Sequence, residues 1–420
     1  MPKASAKDSS ALGIRLEGDL VYAPGDTIIG CVWRGEHTVS VASSVDIELY
    51  ARTKSKKITK NGQTTSEYRN RFTLIEGAQT RQRLFSGPIH IPPGNKPEDE
   101  KSWPFAITLP SRIPEPEKVA PETSQEYSYL PLDRSSLANT PLPPNFFGSS
   151  YGLNYQVEGY VEYVLEAHLT TTTAADRITR TFRAARPLLV SPRILDLPLV
   201  DLGSHLVKTY RGVKTLRLIP GNEEAKLTFK QKTKMFFGTS SIPKMCFDLE
   251  VVMPRSIQLD HPDTLPVRLR VVPDPSTNNR ESSSPELLQG PPPKVKLTSL
   301  RLTIKTNAEV RCGGTFHPHH GNVKSKHALV DYDTFIRLRQ AVFIPCACTD
   351  KESSPTYVDV SSIFGIRPKQ TADLCPDFTT FNIRVTHLLK WDIDASIAGE
   401  VVNVSGERPI VILPASEFSR

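Results

Sequence analysis

The chain has 420 residues, 38% of them hydrophobic, with 36 prolines and six cysteines; that length suits two domains at roughly 150 residues each. No run approaches ~18 uninterrupted apolar residues, which excludes a membrane-spanning helix, and the scattered cysteines exclude a disulfide-stapled scaffold and favour a reducing compartment. The net charge of +7 favours acidic partners such as phosphoproteins, anionic lipid headgroups or nucleic acid.

The opening MPKASAKDSSALG carries charge without an apolar core, so it does not read as a signal peptide and the expectation is a cytoplasmic protein. Ile14 and Leu16 alternate with polar neighbours, and the run Leu20 to Val32, LVYAPGDTIIGCV, reads as strand, turn and strand. Pro24 presets one corner, Gly25 tolerates a positive φ, and Asp26 can bond its own backbone. Tyr22 precedes the turn, and Gly30 in the second strand marks a bulge or a close backbone approach. Val45, Ile47 and Leu49 again alternate with polar residues.

Residues 52–83 form a hairpin with a turn at Asn61-Gly62. Nine basic residues stand there against two acidic ones, a local excess equal to that of the whole chain. WPFAITLP at 103–110 is a further alternating strand, followed by a proline-rich loop from Ser111 to Pro144. LPPNF at 142–146 leads into a long strand with Val157, Gly159, Val161, Tyr163, Leu165, Ala167 and Leu169 facing a core and Glu158, Glu162, Glu166 and His168 facing water. Ile178 to Val190 closes this half.

After a proline-punctuated connector come further strands at 215–219, 225–229, 246–253, 265–272, 295–306, 335–344, 380–386, 388–398 and 409–413, with no long amphipathic helix. The Pro/Ser-rich stretch 273–293 reads as a disordered insert. The expectation is an all-β protein of two tandem β-sandwich domains with long proline-rich loops. Their bounds are 13–190 and 201–414, with a connector at 191–200 and tails at 1–12 and 415–420.

Tyr22-Ala23-Pro24-Gly25-Asp26-Thr27 with Gly30 resembles the Y-x-P-G-D turn near the start of arrestin-like proteins. Trp103 to Pro110 and LPPNF with the Tyr155 to Leu169 strand resemble two later motifs of the same N-terminal domain, in the same order. The likeness covers roughly residues 12–190, is looser afterwards, and in its proline-rich inserts is similar to fungal alpha-arrestins. It implies a cytosolic adaptor of two sandwiches that acts in endocytosis, protein transport or signalling, peripheral at the plasma membrane or endosomes. Many members recruit WW-domain ubiquitin ligases to membrane cargo through P-P-x-Y. Here Pro92-Pro93, Pro143-Pro144 and Pro291-Pro292-Pro293 are followed by other residues, so no P-P-x-Y exists.

Lys54, Lys56, Lys57, Lys60, Arg69 and Arg71 are the candidate partner site, for phosphorylated cargo tails or anionic lipid. The same lysines also suit a solvated edge protected from aggregation. Arg177, Arg180, Arg183 and Arg186 recur every third residue, which in a strand puts neighbours on opposite faces. Cys312, His317, His319 and His320, with His327, Cys346, Cys348 and Cys375, are metal-ligand types at spacings that fit no standard finger. Gly148-Ser149-Ser150-Tyr151-Gly152 matches G-x-S-x-G but lacks the strand-to-helix setting of a nucleophile elbow.

Single-strand nucleic-acid binders interleave basic residues with aromatics, and Tyr68 and Phe72 are the only aromatics between Arg52 and Arg83. The reading is therefore a non-enzymatic arrestin-like scaffold without cofactor or catalytic residues. The alternatives are a retromer-type sorting subunit within the same fold and, from another class, a nucleic-acid-binding protein.

Overall fold

A computed structural model describes residues 12–18, 21–93, 100–113, 125–133, 137, 139–172, 178–219, 221–222, 226–236, 242–274, 293–314, 317–337, 340–346, 356–369, 371 and 374–419. The N-terminal tail before Leu12, much of the 111–144 loop, Arg177, Cys348 and nearly all of the 273–293 insert lie outside the described residues. The protein is all-β, and its contacts divide it into two compact units. Unit 1 is Met1–Ile194 with Asn307–Lys324 and Cys375–Val385; unit 2 is Leu195–Thr306, Ser325–Leu374 and Thr386–Arg420. Residues 307–324 and 375–385, which lie within the expected second sandwich, thus cluster with unit 1.

The first strands are β1 (Gly13–Leu16), β2 (Val21–Tyr22), β3 (Thr27–Arg34), β4 (Thr38–Asn61), β5 (Thr64–Ile75), β6 (Gln82–Ile91), β7 (Lys101–Thr108), β8 (Phe146–Tyr151), β9 (Tyr155–Thr172), β10 (Thr179–Val190) and β11 (Arg193–Ile194). One sheet runs β1-β3-β7; the other runs β2-β10-β9-β4-β5, with β6 also paired to β4 and β8 to β9. Their inner faces share one core: Ile28, Val32, Trp103, Phe105 and Ile107 come from the first sheet, and Ile47, Leu49, Tyr163, Leu165 and Ala167 from the second. Period-2 alternation puts these residues inside, as the sequence pattern predicts.

The three sequence landmarks interlock. The Asp26 amide donates to the Ala23 carbonyl at 3.0 Å, with Pro24 and Gly25 (φ +98°) between them, and the Asp26 carboxylate accepts from the Ala23 amide at 2.7 Å. This is a type II turn, which demands a positive φ at its third residue. The amide of Ser191 donates to the Tyr22 carbonyl at 2.9 Å, Asn145 bonds Val190 in both directions, and the Tyr163 hydroxyl donates to the Pro143 carbonyl at 2.6 Å. Pro143 and Pro144 are buried. Gly30 is the close approach foreseen, since a Cβ there would collide with the Arg15 carbonyl oxygen of β1.

The later strands are β12 (Ser204–Lys214), β13 (Lys244–Pro254), β14 (Ser256–Gln258), β15 (Arg268–Pro273), β16 (Val295–Cys312), β17 (His319–Val330), β18 (Val342–Ile344), β19 (Val358–Asp359), β20 (Phe378–Thr379), β21 (Ile383–Ile397), β22 (Glu400–Leu413) and β23 (Ala415–Ser416). They form the sheets β12-β13-β15-β19 and β14-β22-β21-β16-β17. The unit 2 core gathers Phe247, Leu249, Val251, Leu269, Leu302, Trp391 and Ile393. Its buried carboxylate, Glu250, is held by Arg270 at 2.7 Å, Lys208 at 2.9 Å and the Tyr357 hydroxyl at 3.0 Å.

Three expected strands take other forms. Residues 215–219 hold a 3-10 turn, Leu216–Leu218, begun by the Thr215 side chain. Phe229 opens a helix that runs to Phe236 instead of ending a strand. Residues 335–344 divide into a helix, Tyr332–Arg337, and β18, because Asp331 caps the helix by accepting from the Thr334 amide at 2.7 Å. Residues 383–397 form the single strand β21 where a break was expected.

Candidate functional site

The basic hairpin is β4 turning into β5 through Gly62 at φ +60°. Its register sets Lys54 opposite Arg71 and Lys56 opposite Arg69. Strand parity puts these four residues, with Arg52 and Lys60, on the outer face. Lys57 has the opposite parity, and its ammonium donates to the His320 carbonyl at 2.7 Å. The structure thus brings five of the six predicted residues together and adds Arg52.

Next to β4 lies β9, which sets Glu162 beside Arg52, Tyr160 beside Lys54 and Glu158 beside Lys56. Glu158 and Glu162 are buried, which corrects the expectation that they face water. The neighbouring long cationic side chains cover Glu162: Arg52 pairs directly with it, and Lys54 stands 3.6 Å from the same carboxylate, while Glu158 accepts from the Gln156 side-chain amide at 2.6 Å. Lys56 and Arg69 share Glu67 at 3.0 and 2.7 Å.

Aromatic rings complete the face. The Arg52 guanidinium lies 5.0 Å from the Tyr50 ring centre, and the Lys54 ammonium 5.3 Å from that of Tyr160. Burial, and then the charge of Arg52, pull the Lys54 pKa below its ordinary value. Burial raises both tyrosines, which keeps their phenols protonated at neutral pH.

Two depressions open on this face. One of about 900 Å³ is lined by residues including Tyr50, Arg52, Arg71, Glu166 and Arg183; a second of about 490 Å³ is lined by Lys54, Ser55, Lys56, Arg69, Asn70, Arg71, Glu158 and Tyr160. Arg71 borders both. It is exposed, and it forms no ion pair with any carboxylate among the described residues. The arrangement can receive an anion: a guanidinium free to fork onto phosphate oxygens stands among cations whose own charges are already partly met.

The inner face of the same hairpin is polar at this end. Thr53 donates to the Asn382 side-chain oxygen at 2.6 Å, the Asn382 amide donates to Ser55 at 2.9 Å, and Ser55 donates to the Arg311 carbonyl. Arg311 stacks on Tyr129 at 3.8 Å and donates to the Ser128 carbonyl at 2.7 Å. All of these residues belong to unit 1.

The ligand-type residues of the 312–320 stretch do not converge. Cys312 is buried, and burial pushes its thiol up to about 11. His319 stacks on Tyr68 with ring centres 3.6 Å apart, and His317 and His320 bring no three ligand atoms together with them. Among the described residues the group whose donor atoms do converge is Glu48, Glu166 and His168, within 4.8 Å of one another. Its charge is met by Arg183, which pairs with Glu166, and by Arg81, 3.8 Å from Glu48. Ser150 of the G-x-S-x-G match sits in β8 opposite Val157, with a hairpin after it.

No protein-family model and no curated protein sequence matches the chain. No helix among the described residues is long and apolar enough to cross a membrane. Beyond the residues expected from sequence, the face includes Arg52, Tyr50, Tyr160 and the buried Glu162. Parity along β4 was the available signal for Arg52 and Tyr50, which share their register with Lys54 and Lys56. The β9 partners depend on strand pairing, which no local pattern encodes. Tyr68 is taken up by His319, and the Phe72 ring stacks on Phe381 at 4.9 Å, so the two aromatics weighed for base stacking are both engaged.

Proposed function

We propose that the protein is a non-enzymatic, arrestin-like adaptor that holds phosphorylated tails of membrane cargo, transporters or receptors, against the outer face of the unit 1 sheet. The observation that carries this reading is Arg71, exposed, without a described carboxylate partner and bordering both basic depressions. An extended tail lying across β5 and β4 would meet Arg71 first, then Lys54 and Arg69. Phosphate would outcompete an unmodified hydroxyl because it presents several charged acceptors to forked guanidinium donors. Lys56 and Arg69 are anchored by Glu67 and would serve as steering charge. The order of the Tyr22-Pro24-Gly25-Asp26, Trp103 and LPPNF motifs supports the arrestin-like part of the proposal.

The test is fluorescence anisotropy with a serine-rich acidic peptide in phosphorylated and unmodified forms. The phosphorylated form should bind more tightly, and Arg71→Ala should weaken it by about tenfold, the scale of one charge-assisted bidentate contact. Equal affinity for both forms, or an Arg71→Ala variant that binds like wild type, would sink the proposal.

A further inference from the structure

The β8–β9 hairpin ends in a two-residue loop, Leu153-Asn154, closed by the Gly152 amide donating to the Tyr155 carbonyl at 2.8 Å. Loops this short are built from glycine, asparagine and aspartate, which suit the backbone and the water around it. Leucine at this point has neither advantage, and here Leu153 is 99% exposed. Tyr151 and Tyr155 flank it at 66% and 46% exposure. The Tyr155 ring lies so close over Gly152 that a Cβ there would run into it, so the tip is braced by its own side chain.

A second tip lies alongside. The Lys60 amide donates to the Asn154 carbonyl at 2.9 Å, and Thr59 is in register with Tyr155. This holds the exposed Lys60 and the Asn61-Gly62 turn beside Leu153. The carboxylates nearest in sequence are turned to other partners: Glu67 to Lys56 and Arg69, and Glu158 to the Gln156 amide at 2.6 Å.

We propose that the paired tips form a membrane-docking element that seats Leu153 in the surface of an anionic bilayer. The chemistry is layered as an interface requires: an aliphatic point, two tyrosines whose rings suit the headgroup boundary, and an ammonium for lipid phosphate and carboxylate. Charge complementarity selects the occupant, because the charged residue whose backbone is tied to this tip, Lys60, is an exposed cation. A protein partner would need a contact patch of standard size around the tip, whereas a bilayer accepts a single protruding side chain. One such element binds weakly and needs a second contact for stable attachment; a cargo tail held on the outer face would supply it. The inference stands on other residues than Arg71 and survives if the tail-binding proposal fails.

Co-sedimentation of the full-length protein with phosphatidylcholine vesicles, with and without phosphatidylserine, tests it. Without a tail present, wild type should partition partly, and measurably, into the pellet with the phosphatidylserine vesicles and not with phosphatidylcholine alone. Leu153→Asp should lower the partition roughly tenfold or more, since an apolar side chain is lost from the interface and a charge placed there. Lys60→Ala should lower it about fivefold, while Arg71→Ala should leave it within about twofold. Leu153 has no packing to lose, so the variant should melt with wild type. As an independent readout, the indole introduced by Leu153→Trp should add blue-shifted emission, quenched by brominated lipid, with anionic vesicles alone. Undiminished pelleting of Leu153→Asp, or an indole signal unchanged by vesicles, would overturn the inference. So would a Leu153→Asp variant that keeps vesicle binding but loses peptide binding, which would mark the tip as a protein contact.

Discussion

The Gly25 amide donates to the Leu109 carbonyl at 2.8 Å, and the Leu109 amide returns a bond to the Asp26 carbonyl at 2.8 Å. The Pro24-Gly25-Asp26 turn is therefore latched to the end of the strand that carries Trp103, Phe105 and Ile107. Two glycines at this corner have different reasons to be glycine, and substitution separates them. Gly25→Ala meets open space but forces alanine to φ +98°, which should cost about 1–2 kcal/mol. Gly30→Ala drives a methyl into backbone that cannot rotate away and should cost more, about 2–3 kcal/mol. Urea denaturation of both variants checks the order; a milder Gly30→Ala would refute the close-approach account.

Glu162 is the buried counter-charge beneath the basic face. Glu162→Gln should destabilise the protein by about 2 kcal/mol, because Arg52 and Lys54 lose a shared partner but keep access to water. The loss should shrink little on adding salt, since a buried carboxylate is poorly screened. A loss that vanished at high salt would mean that the pair behaves as a surface bridge.

Asn382 serves two buried hydroxyls at once, accepting from Thr53 and donating to Ser55. Asn382→Ala should cost about 2–3 kcal/mol through unsatisfied polar groups. Adding Thr53→Val to Asn382→Ala should recover part of that cost, because one orphaned hydroxyl is removed with its partner. Strict additivity in denaturation midpoints would deny the coupling.

The Cys312 thiol is raised to about 11, chiefly by burial, against about 8.5 for an unfolded cysteine. Between these values the folded chain keeps a proton that the unfolded chain releases, so stability falls as pH rises from about 8.5 towards about 11. Below about 8.5 the contribution is complete. Cys312→Ala should flatten the decline in melting temperature over that window. Cys375, pushed up to about 12 chiefly by burial, leaves a residual slope. Alkylation near neutral pH should reach the partly exposed Cys31 and Cys346 before the buried Cys246 and Cys312.

Much of the architecture was legible because strands announce themselves by alternation. Ile107 and Phe105, or Tyr163 and Leu165, are placed by parity alone, and the turn at Gly25 by its chemistry. The hairpin face was half legible: Lys54, Lys56, Arg69 and Arg71 share a face by counting, and Lys57 is excluded from it by the same count. What stayed hidden depends on partners distant in sequence. Glu162 looks wet until β4 is laid beside β9. The helix after Asp331 was hidden by an apolar run, Phe335 to Ile344, that also fits a strand, and its start depends on one capping carboxylate.

Thr53 and Ser55 take their partners from Asn382 and Arg311, more than 250 residues later in the chain. During synthesis the first 194 residues can pair β4 with β5 and β9, yet two hydroxyls on the inner face must wait for the segments that end at Val385. Unit 1, though most of it leaves the ribosome before unit 2, is completed only when those later segments appear, and a product truncated after Ile194 would leave that polar face to water or to a chaperone.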